Sequence, residues 1–372
     1  MHIQTHALPG GGSGSSRAVT SLHFGQPGGR RALLQASLHA DEIPAMLVAQ
    51  HLRRRLTELE ADGRLCGEIL LLPACNPIGL GQQVWGRLQG RFELGSGQNF
   101  NRHYPALALD AAARAEAAGG LGADPDANAR LLSRALHQAL DACQPQSELE
   151  ALRQTLLRLA LDAELVLDLH CDNEAVIHFY SNPHYEAQAA QLGRCLQAPL
   201  GLMALESGDQ PFDEAVSSIW PALRAHFGDR HPLPLRGFSA TVEHRGETDV
   251  AHELAAQDAK GLLRFLGSQG FVTELGEPAP YASRLLPLAG CMPIVAPHAG
   301  LLVWSLPVGT EVAAGQRLGE LIDPISGEST ALCSPVDGLH FARELQRWAQ
   351  AGQCVAKVAG AQALRSGKLL SA

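Results

Sequence analysis

The sequence predicts an α/β chain in which a mixed or largely parallel sheet is flanked by helices and a small all-β barrel sandwich follows. Over the first two-thirds, short apolar runs alternate with helical patterns, as strands and helices stacked in layers require. After about Pro278 the text turns to Gly, Pro and Val with few helical patterns, which reads as strands and tight turns. The division is placed there, with a larger unit over residues 1–278 and a β unit over residues 279–372.

In the larger unit the strand candidates are Arg31–Ser37, Gly67–Leu72, Leu165–Leu169 and Gly237–Val242. The helix candidates are Ile43–Glu60, Ala127–Ala142, Glu148–Leu161 and Leu254–Ser268. The Gly/Ser cluster Gly10–Ser16 reads as a loop, and so does the Ala/Gly-rich stretch Ala111–Ala123. The β unit repeats itself: Ala296–Val303 (APHAGLLV) is echoed by Ser334–Phe341 (SPVDGLHF), and Val308–Leu321 by Arg347–Val358. An Ala-Gly-Gln turn in each half suggests a pseudo-twofold barrel sandwich. That pattern resembles the biotinyl/lipoyl carrier fold. The hairpin between its halves, Asp323–Thr330 (DPISGEST), holds no lysine to modify, so the fold is expected here without the carrier function.

The formal net charge of −9 argues against a nucleic-acid partner. No apolar run approaches the roughly 20 residues that a bilayer needs, so no membrane span is expected. The opening MHIQTHALPGGGSGSSR lacks the basic and apolar regions of a secretory signal. The eight cysteines form no CxxC pair, which points to reduced thiols in a cytoplasm rather than to disulfides or a thiolate metal site. Nearly all basic residues are arginine; lysine occurs only at Lys260, Lys357 and Lys368.

Chemistry-bearing residues gather at the predicted strand ends. His39 and Glu42, in Ser37-Leu38-His39-Ala40-Asp41-Glu42, lie between a strand and a helix, where a turn points an imidazole and a carboxylate inward as zinc ligands. The alternative is a helix start, with Asp41 and Glu42 in the first turn. His170 closes the strand of Asp168-Leu169-His170-Cys171-Asp172 and can complete a His, Glu, His triad with one coordination position left for water. Asp168 is a candidate acceptor behind His170, weakened by an expected place on the opposite strand face. In Gln98-Asn99-Phe100-Asn101-Arg102, the neighbouring amide and guanidinium of Asn101 and Arg102 suit capture of a carboxylate. Arg91 can add a cation near a scissile carbonyl, or be a surface arginine. Glu243, in Thr241-Val242-Glu243-His244-Arg245-Gly246, ends another strand and can reach the same crevice as a general base, or simply pair with Arg245. Asp172, Glu174, His178 and Tyr180 are candidates for the pocket wall.

The motifs HADE, CNPIG, NFNR, DLHCD and TVEHRG, in that order, resemble the succinylglutamate desuccinylase/aspartoacylase family of the zinc carboxypeptidase clan over roughly residues 20–275. The resemblance implies a zinc-carboxypeptidase-like sheet and one Zn²⁺ per chain held by His39, Glu42 and His170. It implies Glu243 as the catalytic carboxylate and Asn101 and Arg102 as the substrate-carboxylate pair. Arg91 matches the carbonyl-polarising arginine only loosely, because its spacing to Asn101 is longer than the family's. The expected activity is hydrolysis of the amide of a small N-acyl amino acid or related carboxylate-bearing compound. The rivals are a metallocarboxypeptidase acting on short peptides and a non-catalytic metal-binding or assembly protein. The β unit is open to two roles, a cap over the cleft or a homo-oligomer interface.

Overall fold

The computed structural model describes residues 1–12, 14–273 and 275–370. A hairpin, β1 (His2–Leu8) and β2 (Arg17–Phe24), leads to β3 (Arg31–Ala36), α1 (Ile43–Ala61) and β4 (Glu68–Leu72). One helical turn, α2 (Pro77–Leu80), and a short hairpin, β5 (Gln83–Val84) and β6 (Arg87–Leu88), precede α3 (Ala108–Ala118), α4 (Pro125–Ala142) and α5 (Glu148–Leu161). Then come β7 (Leu165–Asp172), β8 (Glu174–Ala175), β9 (His178–Ser181), α6 (Glu186–Leu196) and β10 (Leu200–Met203). The helices α7 (Phe212–Ser217) and α8 (Ile219–Phe227) lead into β11 (Phe238–Gly246), α9 (His252–Ser268) and β12 (Arg284–Pro287).

These strands form a nine-stranded mixed sheet in the order β1-β2-β4-β3-β7-β11-β9-β10-β12. Its centre, β4-β3-β7-β11, is parallel. Central strands covered on both faces are largely apolar, and successive residues divide between the two sides. Leu33, Leu70 and Val166 pack beneath α3, α4, α5, α7 and α8. Ala32, Leu34, Ile69, Leu71, Leu165 and Leu167 pack beneath α1, α6 and α9. Two helices start at side-chain caps: at α4 the Asp124 carboxylate accepts from the Asp126 and Ala127 amides, and at α5 the Ser147 hydroxyl accepts from the Glu150 amide.

One expected loop is a helix. Ala111–Ala118 belongs to α3, and the irregular stretch begins only at Gly119, whose φ of 69° ends the helix. Alanine has the highest helix propensity, and Ala111, Ala112 and Ala115 are buried, so propensity and packing agree.

The C-terminal strands are β13 (Cys291–Val295), β14 (Gly300–Trp304), β15 (Thr310–Val312), β16 (Arg317–Ile322), β17 (Ser329–Cys333), β18 (Gly338–Arg343), β19 (Trp348–Ala349) and β20 (Cys354–Ala359). They make two antiparallel sheets, ordered β13-β20-β18-β15 and β17-β16-β14-β19. Each sheet takes its outer strand from the other half of the repeat: β15 pairs with β18, and β19 with β14. The two Ala-Gly-Gln turns match in detail. Gly315 and Gly352 have φ of 81° and 83°, and the Gln316 and Gln353 side chains accept from the amides of Ala313 and Gln350. This β unit is joined to the large sheet through β8, which pairs with β18, and through an apolar seam of Leu200, Leu202, Leu339 and Phe341. No helix among the described residues is long and apolar enough to cross a membrane.

Candidate metal centre and its cavity

The parallel strands β3, β7 and β11 all end at one edge of the sheet, and the polar residues expected there converge on it. Ser37, with φ of 69°, turns the chain out of β3. Pro44 fixes the first turn of α1. Between them His39 and Glu42 face inward. Glu42 occupies the cap position of α1 yet makes no capping hydrogen bond. Its Oε1 lies 2.8 Å from His39 Nδ1 and its Oε2 2.7 Å from His170 Nδ1. The donor atoms of His39, Glu42 and His170 all lie within 4.8 Å of one another, and all three residues are buried.

The outer ring nitrogen of His39 settles which of its atoms carries the lone pair. Asn99 Oδ1 lies 2.9 Å from His39 Nε2 and also accepts the Asn101 amide at 2.8 Å. His39 Nε2 is therefore the donor. An Arg91 guanidinium N–H, which can only donate, reaches His39 Nδ1 at 3.2 Å. Asp168 Oδ2 lies 2.9 Å from His170 Nε2. His39 Nδ1 thus offers a lone pair beside the buried Glu42 carboxylate, and His170 Nδ1 on the other carboxylate oxygen completes a set of three donor atoms that can hold a cation. Outer nitrogens tied to oxygen acceptors are how protein sites orient metal-binding histidines. The donor set of two nitrogens and one carboxylate fits Zn²⁺. Asp168 and His170 are two residues apart on one strand and so share a face, which corrects the expected opposite-face placement.

Electrostatics follow this geometry. Burial raises Glu42, but His170 and His39 outweigh it and hold its carboxyl well below the usual range. Burial pulls His170 down, and Asp168 and Glu42 more than reverse that.

Glu243 sits beside His170 in the register of β11 on β7. Its Oε2 is buried with no hydrogen-bond partner among the described residues. Burial, then the Glu42 charge, pushes it up to about 8. It does not pair with Arg245. A bulge between Glu243 and Gly246 and a φ of 66° at Arg245 turn that guanidinium away. Arg245 instead makes a bidentate pair with Asp258 of α9, at 2.7 and 3.0 Å.

Arg91 arrives through a close approach at Gly90. The Ala40 amide donates to the Gly90 carbonyl, and the Gly90 amide to Asp41 Oδ2. A Cβ at Gly90 would fall 2.0 Å from the Asp41 nitrogen, so only glycine fits. Arg91 Nη1 lies 3.0 Å from Glu42 Oε1. Asn101 and Arg102 are buried; Asn101 Oδ1 accepts the Phe212 amide of α7, and Arg102 Nη1 donates to the Asn101 carbonyl.

His39, Glu42, Arg91, Asn101, Arg102, His170 and Glu243 line one cavity of about 280 Å³. Asp172 and Tyr180 line it too, whereas Glu174 and His178 do not. Glu174 pairs with Arg343 and Arg347 of the β unit, and His178 packs on Phe341 with ring centroids 4.9 Å apart. Several lining residues carried no sequence signal as site residues: Ser207, Asp213 and Glu214 around Arg102, and Glu344, Cys354 and Lys357 from the β unit. The β unit thus contributes side chains to the cavity wall.

The chain is similar to proteins of known family. The model of the succinylglutamate desuccinylase/aspartoacylase catalytic domain matches residues 28–286. No curated protein matches the sequence. Among solved structures, a succinylglutamate desuccinylase/aspartoacylase family protein from Shewanella amazonensis is similar at 23% identity, covering 96% of this chain and 98% of its own, with a TM-score of 0.85. One from Shewanella frigidimarina is similar at 22% identity, with 96% of each chain covered and a TM-score of 0.83. The product-bound ectoine utilization protein EutE (DoeB) from Ruegeria pomeroyi gives 18% identity, coverage of 96% and 94%, and a TM-score of 0.66. At these identities the structures establish a common fold, and the family model, which spans most of the chain, establishes that this protein belongs to the succinylglutamate desuccinylase/aspartoacylase family.

Proposed function

We propose that this protein is a zinc-dependent deacylase that hydrolyses the amide bond of a small N-acyl amino acid or a related carboxylate-bearing amide. The observation that carries the reading is the convergence of His39 Nδ1, Glu42 and His170 Nδ1 on one buried point, with the unpartnered Glu243 carboxyl lining the same cavity. A Zn²⁺ held by those three residues would supply a Lewis acid that polarises a carbonyl and lowers the pKa of water from about 15.7 toward roughly 7.

The chain's own residues account for the remaining steps. Glu243 takes the proton from the attacking water and delivers it to the departing amine nitrogen. Arg91 donates to the carbonyl oxygen as negative charge develops on it. Asn101 and Arg102 anchor the substrate carboxylate and so fix which amide faces Glu243. The products are a carboxylate and a free amine. A cavity of about 280 Å³ suits a small substrate rather than a long peptide.

In this reading residues 1–278 form the catalytic domain and residues 279–372 a barrel-sandwich domain of biotinyl/lipoyl type without a carrier lysine, lending β12 to the edge of the large sheet. Eight unpaired thiols suit a reducing compartment, the cytoplasm.

The decisive variant is Glu243→Gln. Zinc should remain at normal stoichiometry by metal analysis, while turnover of N-acyl amino acids falls by about 10²–10⁴; retained turnover reassigns the base. His170→Ala should lose the metal, and full occupancy in that variant rules out the triad. Parallel assays on short peptides separate a deacylase from a metallocarboxypeptidase.

A further inference from the structure

Lys357 is one of three lysines among the 29 basic residues of the chain, and it alone of the three lines the catalytic cavity. It projects from β20, so the β unit supplies it. Its Nζ meets Asp172 Oδ2 at 2.7 Å. Burial acts to lower its pKa, but the Asp172 carboxylate outweighs that and keeps the ammonium charged. An ammonium carries three N–H donors, and Asp172 is its sole hydrogen-bonded acceptor among the described residues. The remaining donors belong to a half-buried group on a cavity wall.

The position of Lys357 relative to the reaction follows from its neighbours. Arg102 interacts with Arg91, Asp213, Asp209 and Glu214. Lys357 interacts with Asp172, Tyr180 and Cys291. Glu243 feels Asp172 and Lys357 besides Glu42 and His170. Arg102 is held beside the start of α7, where Asn101 accepts the Phe212 amide, whereas Lys357 reaches from β20 to Asp172 at the end of β7, so the two cations enter the cavity from different walls. The same cavity also has apolar lining at Leu202 and Leu288.

We propose that Lys357 is the acyl-side specificity residue: its ammonium hydrogen-bonds an oxygen on the acyl group beyond the scissile carbonyl, so the protein prefers acyl groups bearing a hydroxyl, oxo or carboxylate oxygen over plain alkyl groups of the same length. The inference rests on the deacylase reading. An alkyl acyl chain that reaches Lys357 strips water from its N–H donors without replacing the lost hydrogen bonds, and sites built to bond a polar group reject analogues lacking it. An oxygen acceptor removes that penalty, while Asp172 holds the ammonium in place.

The test uses the full-length zinc-loaded protein and matched substrates on one amino acid: 3-hydroxybutanoyl against butanoyl, and 3-carboxypropanoyl against pentanoyl. The wild type should favour the oxygen-bearing member of each pair at least tenfold in kcat/KM. Lys357→Met should bring each pair within about twofold, chiefly through KM, with zinc content unchanged. Lys357→Gln, which can still donate to Asp172 and so guards against misfolding, should abolish the preference for the carboxylate. An active wild type without the preference, or variants that keep it, overturns the inference. A wild type that cleaves none of these amides overturns the deacylase reading and the inference with it.

Discussion

Asn99 has a side-chain oxygen shared between His39 Nε2 and the Asn101 amide, so one residue orients a candidate ligand and shapes the substrate loop. Asn99→Leu keeps the volume and removes the acceptor. Zinc affinity should fall about 10–100-fold, as losses behind a metal ligand do. Competition with a chromogenic chelator measures it; unchanged affinity would show that His39 needs no such partner. At this scale the sequence was legible where side-chain chemistry is itself diagnostic. His39, Glu42, His170 and Glu243 are residues that hold metals and move protons, and all four line one cavity. Asn99, Asp213 and Ser207 were not legible as site residues, because amides, carboxylates and hydroxyls are common and only their neighbours give them a role.

Two elements carry these residues, and each depends on one contact. The Arg91 loop can lie on the β3–α1 turn only because Gly90 has no side chain. Gly90→Ala should push that loop away and lower kcat/KM while leaving the three metal donors intact, which a paired metal and activity assay would resolve. The end of β11 is tied down from behind, with His244 and Arg245 both bonded to Asp258. Asp258→Ala leaves a buried imidazole and a largely buried guanidinium without their carboxylate. The loss should be about 3 kcal/mol of stability, read as a lower urea midpoint, and an unchanged midpoint would mean that the network contributes nothing. Long elements such as α5 were legible from period and caps. The Ala-rich α3 was not, because its small residues give little apolar contrast along the chain and it is packing on α4 and α8 that fixes their place.

At the scale of the molecule, two histidines are buried and neutral, His178 against Phe341 at the junction between the large sheet and the β unit and His340 beside Trp304 within the β unit. Burial, opposed in part by Asp172, lowers His178 to about 4, and burial with the Arg343 charge lowers His340 to about 4, from an ordinary value of 6.5. An unfolded chain binds protons at these sites below about 6.5, whereas the folded chain resists until about 4. Unfolding therefore takes up protons in that window. Stability should rise with pH from about 4 to 6.5 and be lost on acidification, by on the order of 3 kcal/mol for each histidine. Urea unfolding at stepped pH measures the slope. His178→Phe, suited to its contact with Phe341, should flatten it; an identical slope would assign acid sensitivity elsewhere.

What the sequence determined by itself was local chemistry and local periodicity: which residues can hold a metal, where apolar strands end, and that the β unit repeats. These follow from side-chain type and from spacing of a few residues. Tertiary structure alone decided which distant groups share the cavity. Lys357 stands 185 residues from Asp172 along the chain yet 2.7 Å away in space. No pattern in either segment encodes that meeting, because it arises from the docking of β18 on β8 and the burial of the apolar seam between the two units.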